Sequence, residues 1–428
     1  MDRQGTLGWL FEQETMGIKF GLDNVRRLLG HLGDPHLRFR SIHVAGTNGK
    51  GSVSALSAMV LREAGYTTGL YTSPHLIDFR ERIEVNGDPI PEQKMLRLAE
   101  EVREYAERTR GPDTRLTFFE LTTAMAFAHF ADEGVEEAVV EVGMGGRLDA
   151  TNVIVPDCSV ITAIGLEHTA YLGGTIAAIA GEKAGIIKPG VPVVTIDQNE
   201  DALRVIRGVA REKASPLKIV GRDVGFEIQS STLDGNDVLI EELGTTVHVQ
   251  LLGEYQAQNC AVACGALTEV MKRGVFIPDE AVRAGLSKAR WPGRLEIISS
   301  DPLMIFDVTH TPDGAKVVSR EVARLVGKDI VLVLGVLNDK DVGGIAAQFG
   351  PIARAAVATA PATKRAFPSG VVADALARYC PQVEEVPGVG AAIERARAVA
   401  RPGDAILVTG SLYTIGEAMR WMDAGKTR

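Results

Sequence analysis

The stretch HVAGTNGKGSV, His43 to Val53, runs from an apolar, β-prone segment into a glycine-rich turn ending Gly49-Lys50-Gly51-Ser52. Such a turn suits a phosphate. Gly46, Gly49 and Gly51 let backbone N–H groups approach an anion, the following helix offers its positive N-terminus, and Lys50 and Ser52 add a charge and a metal-binding hydroxyl. The pattern departs from the standard P-loop twice. Val44 stands where that loop begins with Gly, and Gly51 stands where Ser or Thr directly follows the Lys. A plain strand-turn-helix junction is the alternative, because Asn-Gly is a common turn dipeptide. The flanks favour phosphate: Ile42 to Ala45 reads as a strand, and Ser52 to Gly65 carries apolar residues at helical spacing before a terminal Gly.

Outward from this loop, strand-like runs recur at Thr68 to Tyr71, Glu137 to Val142, Ser159 to Ile164 and Val191 to Ile196, with helical patterns between most of them. That alternation predicts an α/β domain with a mainly parallel sheet. Residues 217 to 252 read as a small antiparallel insert, followed by helices over Tyr255 to Met271 and Pro278 to Ala289. Trp291-Pro292-Gly293-Arg294 breaks the helical pattern as an interdomain link. A second βαβ series follows, with strands expected at Leu303 to Val308, Ile330 to Leu334, Ala355 to Thr359 and Ala405 to Thr409. The expected division is an ATP-binding domain over 1–291 and a smaller Rossmann-like α/β domain over 292–428.

At 428 residues the chain has room for two or three cores, and its 45% hydrophobic and 24% charged residues are ordinary for a soluble globular protein. A net charge of −9 argues against a broad nucleic-acid footprint. No apolar run is long enough to span a membrane and the N-terminus lacks a signal-peptide core, so a cytosolic protein is expected. The four cysteines lack Cys-x-x-Cys spacing and read as reduced, structural thiols, with Cys260 and Cys264 on one helix face.

Several separated motifs carry a further signal. They include GLDNV at 21 to 25, GTNGKGS at 46 to 52, YTSPHL at 71 to 76, FRERI at 79 to 83, LTFFE at 116 to 120 and EVGMGGRLDATN at 141 to 152. Further on come GLEHTAYLG at 165 to 173, GEKAGIIK at 181 to 188, PGR at 292 to 294, DVTHTPDG at 307 to 314, NDKD at 338 to 341 and TGS at 409 to 411. Together these motifs resemble the folylpolyglutamate synthase and dihydrofolate synthase branch of the Mur ligase superfamily, and the resemblance implies ATP-dependent amide formation: a carboxylate of folate or dihydropteroate is phosphorylated, and the amino group of L-glutamate displaces the phosphate. It implies ATP as co-substrate and two Mg²⁺ ions. Phosphoryl transfer needs the phosphates clamped and their charge neutralised, which Lys50 and the loop N–H groups can do beside Mg²⁺.

By the same resemblance, Gly46, Thr47, Asn48, Gly49, Lys50, Gly51 and Ser52 hold the ATP phosphates, while Asn259, Arg294 and Asp307 contact the nucleotide between the domains. Read alone, Asn259 is a helix-surface amide and Asp307 a strand-end turn former. Ser73, Glu141 and His168 match metal positions. Ser73 beside Pro74 would otherwise be a turn residue, whereas Glu141 ends an apolar strand where open α/β sheets bind ligands. Lys183 matches a lysine that becomes carbamoylated; without the resemblance it is a helix-face Lys. Lys50, Lys183 and His310 are the expected catalytic residues. Gly21, Leu22, Asp23, Phe119, Glu120, Leu148, Asp149 and Ala150 match folate-binding positions, with the Phe119 ring stacking and a carboxylate accepting from pterin N–H groups. Ser411 is assigned to glutamate.

One motif departs from the family. Asp307-Val308-Thr309-His310-Thr311-Pro312 places Thr311 where an Asn is usual, replacing a carboxamide by one hydroxyl. Only 45 residues precede Gly46, marginal for the extra UDP-sugar domain of peptidoglycan-type Mur ligases, so the folate branch is preferred. The alternatives are a Mur-type ligase joining an amino acid to a different acid, and a nucleotide-dependent switch, which would leave Glu141, His168 and Lys183 without a task. A monomer that opens and closes around ATP is expected.

Overall fold

The computed structural model describes residues 3–13, 21–111, 114–327 and 329–426. Met1, Asp2 and Glu14 of the opening stretch lie outside them. The first sheet is built from β1 (Arg40–Ala45), β2 (Thr68–Tyr71), β3 (Ile83–Val85), β4 (Asp88–Pro89), β5 (Glu137–Glu141), β6 (Cys158–Ile161), β7 (Val193–Ile196) and β8 (Leu217–Val220). Its order is β4-β3-β2-β5-β1-β6-β7-β8. Strands β2, β5, β1, β6, β7 and β8 run parallel, and β3 with β4 adds an antiparallel edge. Strand β1 is buried from Ser41 to Ala45, as a central parallel strand must be, although the polar Ser41 and His43 stand among Ile42, Val44 and Ala45.

Helices cover both faces. On one, Lys50–Glu63 places Val53, Leu56, Val60 and Leu61 in the core with no exposed surface, each contributing roughly 1.5–3 kcal/mol over an exposed position. It packs there with Glu254–Lys272 and Asp279–Lys288. Glu92–Arg108 and Phe118–Asp132 fill the other face. All four cysteines are free and buried, Cys260 and Cys264 within Glu254–Lys272.

The antiparallel insert is smaller than its composition suggests. Residues 217–220 join the main sheet as β8, parallel to β7, and the insert proper is a three-stranded sheet of β9 (Phe226–Thr232), β10 (Gly235–Ile240) and β11 (Thr245–Val249). The second large sheet comprises β12 (Glu296–Ser300), β13 (Leu303–Phe306), β14 (Ile330–Leu334), β15 (Ala353–Ala358), β16 (Val383–Glu385) and β17 (Ala405–Thr409). Its order is β12-β13-β17-β14-β15-β16, parallel except at β12. The short, half-polar edge strands β3, β4, β12 and β16 carried too little apolar pattern to stand out in the sequence.

Candidate active site

Strand register assembles the site. Val44 pairs with Glu141 and Ala45 with Ile161, so β5, β1 and β6 end level and side by side. The chain winds outward in opposite directions from β1, making this the switch point where open α/β sheets bind ligands. The glycine-rich loop follows β1, Glu141 closes β5, and the loop carrying His168 follows β6.

Each loop glycine faces a group that a side chain would strike. A Cβ on Gly46 would lie 1.7 Å from Thr162 Oγ1, one on Gly49 2.5 Å from Asn259 Oδ1, and one on Gly51 2.7 Å from the Trp291 indole. The unusual Gly51 therefore has a local cause: the link tryptophan lies against the first helical turn. Thr47 and Asn48 both donate their backbone N–H to Ala163 O, at 2.8 and 3.1 Å. The anion-facing donors are accordingly those at the start of Lys50–Glu63, where helix N–H groups lack intrahelical partners. Lys50 Nζ folds back onto the carbonyls of Gly46 and Thr47, at 3.1 and 3.2 Å. Ser52 is buried in the same turn.

Glu141 is buried and accepts from Ser73 N at 3.1 Å. Burial raises its pKa, opposed first by Lys50, then by the Ser73 bond and Arg294. Lys183, in the last turn of Ile176–Ala184, is also buried, and its Nζ donates to Gly46 O at 2.6 Å. Burial and then Lys50 lower its pKa to about 7. His168 adopts the left-handed conformation (φ 50°), which is uncommon for a non-glycine residue. Desolvation holds its pKa below the ordinary value, with Glu167 opposing.

The second domain brings Arg294, Asp307, His310 and Ser411 to the same region. Asp307 is buried after β13 and accepts from Leu295 N at 3.0 Å and Thr309 N at 2.8 Å; burial raises its pKa and Arg294 opposes this most. His310 Nδ1 lies 3.0 Å from Val308 O, an acceptor, so Nδ1 carries the proton and Nε2 is left with its lone pair. Burial lowers its pKa. Glu167 Oε1 stands between the two imidazoles, 3.8 Å from His168 Nε2 and 4.0 Å from His310 Nε2 across the domain boundary. Sequence reasoning assigned Glu167 no role, although it precedes His168 within a quoted motif. Thr311 caps Pro312–Val326, accepting from Gly314 N at 3.2 Å.

A cavity of about 920 Å³ opens beside these groups, lined from both domains. Ser73, His168, His310 and Ser411 are on its wall, as are Gly21, Phe119, Glu120, Leu148, Asp149 and Ala150. Arg82 and Lys340, which sequence reasoning left unassigned, also line it. Leu22 instead packs against the core, and Asp23 is solvent-exposed beside Arg26, so neither reaches the cavity wall. The Glu120 carboxylate serves a capping box, Oε2 accepting from Thr117 N at 2.8 Å and Thr117 Oγ1 at 2.9 Å. Asp149 is buried and accepts from Met144 N at 2.9 Å and Thr151 N at 3.0 Å. The Phe119 ring covers Gly143, where a Cβ would lie 2.5 Å from it. Asn259 meets the loop at Gly49 and donates to Gln256 Oε1 at 2.8 Å.

Residues 44–267 match the Mur ligase middle domain and residues 293–412 the Mur ligase glutamate ligase domain. A Bacillus subtilis dihydrofolate synthase/folylpolyglutamate synthase is 38% identical over 79% of this chain and 80% of its own. A probable bifunctional folylpolyglutamate synthase/dihydropteroate synthase of Haloferax volcanii is 38% identical over 98% of this chain, which spans only 50% of that relative. Among solved structures, the Thermotoga maritima folylpolyglutamate synthase has a TM-score of 0.88 at 34% identity, covering 100% of this chain and 98% of that one. An Escherichia coli structure in complex with DHPP and ADP has a TM-score of 0.86 at 30% identity, covering 98% of both chains. The chain belongs to the Mur ligase family, in its folylpolyglutamate synthase and dihydrofolate synthase branch.

Proposed function

We propose that this chain is an ATP-dependent ligase that joins L-glutamate to folates and to dihydropteroate. The observation that carries the reading is Glu141: one buried carboxylate feels Lys50 on the nucleotide loop and is bonded to Ser73 on the wall of a cavity spacious enough for a pterin and its tail. The acceptor's carboxylate oxygen attacks the γ-phosphorus, ADP departs, and an acyl phosphate forms. The amino nitrogen of glutamate then attacks the acyl carbon, loses a proton, and inorganic phosphate leaves.

Lys50 and the first-turn N–H groups hold the phosphates, and Arg294 adds charge from the second domain. Asn259 and Asp307 orient the rest of the nucleotide. His310, with its free Nε2 lone pair, takes the ammonium proton of the incoming glutamate, and Ser411 helps seat that substrate. Asp149 and Phe119 receive the pterin ring.

The donor set fits Mg²⁺. Among the described residues no three His, Cys, Asp or Glu side chains form a ready-made metal cage. A hard cation that keeps several waters and takes other oxygens from ATP needs only a carboxylate, Glu141, and a hydroxyl, Ser73. His168 and a carbamoylated Lys183 would hold a second ion. Bound Mg²⁺ would neutralise charge on the transferring phosphoryl group.

Among the described residues no helix is long and apolar enough to cross a membrane. A cytoplasmic monomer accords with a two-domain clamp around its substrates. The test is ADP release with ATP, L-glutamate and either dihydropteroate or tetrahydrofolate, with product mass followed. One added glutamate is expected on each acceptor, and no product from either refutes the proposal.

A further inference from the structure

Behind the cavity wall, Asp149 ends a buried chain of hydrogen bonds that starts in the strand feeding the nucleotide loop. His43 lies in β1, three residues before Gly46. Its Nε2 is 2.8 Å from Thr151 Oγ1, which is 2.5 Å from Asp149 Oδ1. The exposures of the three residues are 0%, 0% and 7%.

Counting protons fixes the direction of the chain. A carboxylate only accepts, so the single hydroxyl proton of Thr151 goes to Asp149. The Thr151 oxygen then requires a donor, and His43 supplies it as the Nε2–H tautomer. His43 Nδ1 is left bare and finds no partner among the described residues. Burial, with Lys188 as a second influence, lowers the imidazole pKa to about 3, so the ring donates as a neutral group.

The arrangement biases the carboxylate's geometry. Oδ1 accepts from the Thr151 hydroxyl and the Thr151 N–H and Oδ2 from Met144 N at 2.9 Å, with the Gly143 N–H as a further backbone donor to the carboxylate. The two Thr151 bonds fix Oδ1 and so set the plane of a carboxylate that lines the cavity.

We propose that His43 is a positioning residue for the acceptor substrate: through Thr151 it orients Asp149 so that the carboxylate accepts from the N–H edge of the pterin. This rests on the reading of the cavity as the acceptor site. The alternative is that His43 merely fills the core, which would change stability and leave substrate affinity alone.

The two are separated by a KM-against-kcat comparison on the full chain. His43→Leu and Thr151→Val are each expected to raise KM for dihydropteroate about tenfold, the scale of a lost hydrogen bond acting on a charged group, with kcat within about threefold and KM for ATP unchanged. The double variant should be no worse than either single variant, because one chain is cut twice. His43→Gln, which carries a donor near the Nε2 position, should return KM to within about threefold of the parent. Thr151→Val is nearly isosteric and carries the test if His43→Leu does not fold. An unchanged KM in a folded Thr151→Val protein, or no recovery in His43→Gln, overturns the proposal. Asp149→Asn separates its failure from that of the underlying reading. If Asp149→Asn raises KM and Thr151→Val does not, the chain of bonds is idle; if Asp149→Asn leaves KM unchanged, the pterin does not use Asp149 at all.

Discussion

Lys50 and Lys183, from different helices, donate to one acceptor, the carbonyl oxygen of Gly46, at 3.1 and 2.6 Å. Two ammonium groups cannot share a buried oxygen without cost, and Lys183, the more enclosed, has its pKa lowered to about 7. Near neutrality about half of its amine is uncharged, over a thousandfold more than for an ordinary lysine. An uncharged amine can add CO₂ and release a proton. The carbamate so formed would turn a repulsive pair into an attractive one beside the nucleotide loop.

The proposed carbamate can be tested directly. With ¹³C-bicarbonate, the folded protein should show a carbamate carbon resonance that is missing from Lys183→Ala. That variant should lose about 10²-fold or more in kcat, as expected when a group stabilising the transferring charge is removed, and recover part of it with formate or acetate. An undiminished rate in Lys183→Ala would remove the modification from the mechanism.

Stability in CO₂-free buffer should carry the same signature. Below pH 7 Lys183 is charged in both the folded and unfolded chain, so the cost of burying it applies in full. Between about pH 7 and 10.5 the unfolded chain binds the extra proton, and stability contributed by this site rises with pH. Lys183→Met should therefore exceed the parent at pH 6, on the order of 3 kcal/mol, with the advantage shrinking toward pH 10. Urea unfolding at several pH values measures this; a constant difference would contradict it.

Gly51→Ser restores a hydroxyl directly after the loop lysine, as in the standard P-loop, yet should impair the protein. Its Cβ would lie 2.7 Å from the Trp291 indole, so the loop or the link must shift. We expect kcat/KM for ATP to fall about tenfold or more, and the second substitution Trp291→Ala to restore part of the loss. Equal activity in Gly51→Ser and the parent would mean that the contact does not constrain the loop.

Gly143→Ala should act on the acceptor side alone. The added methyl meets the Phe119 ring at 2.5 Å and must displace it within the cavity wall. KM for dihydropteroate is expected to rise about tenfold, with KM for ATP unchanged. Steady-state kinetics with each substrate varied in turn decide this.

Thr311 caps Pro312–Val326, a task for which an Asn side chain is equally suited. Thr311→Asn should alter thermal stability by only a few tenths of a kcal/mol, and Thr311→Ala should cost about 1 kcal/mol. A larger loss of activity than of stability in Thr311→Ala would assign the hydroxyl a second task.

The parallel core of both sheets was legible because its buried strands hold adjacent apolar residues, uninterrupted in β14 and nearly so in β17, and β1, β5, β14 and β17 are fully or almost fully buried. The edges were not, since two- and three-residue strands such as β4 and β16 have no period to detect. Motif matching found Glu141 and Lys183 but could not show that Lys183 and Lys50 meet at Gly46, because that contact spans 137 positions and depends on strand register. It also could not tell that Asp23 faces solvent, that Glu120 is occupied as a helix cap, or that Glu167 stands between two imidazoles. Those facts belong to side-chain geometry, on which linear spacing is silent.

Activation of the acceptor's carboxylate as an acyl phosphate within this cleft, as proposed above, leaves an isotopic trace. The most direct measurement uses dihydropteroate with ¹⁸O in its carboxylate, together with ATP and L-glutamate, and analyses the released phosphate by mass. An acyl phosphate transfers one ¹⁸O atom to the inorganic phosphate for every glutamate joined. Glutamylated product accompanied by unlabelled phosphate would contradict it.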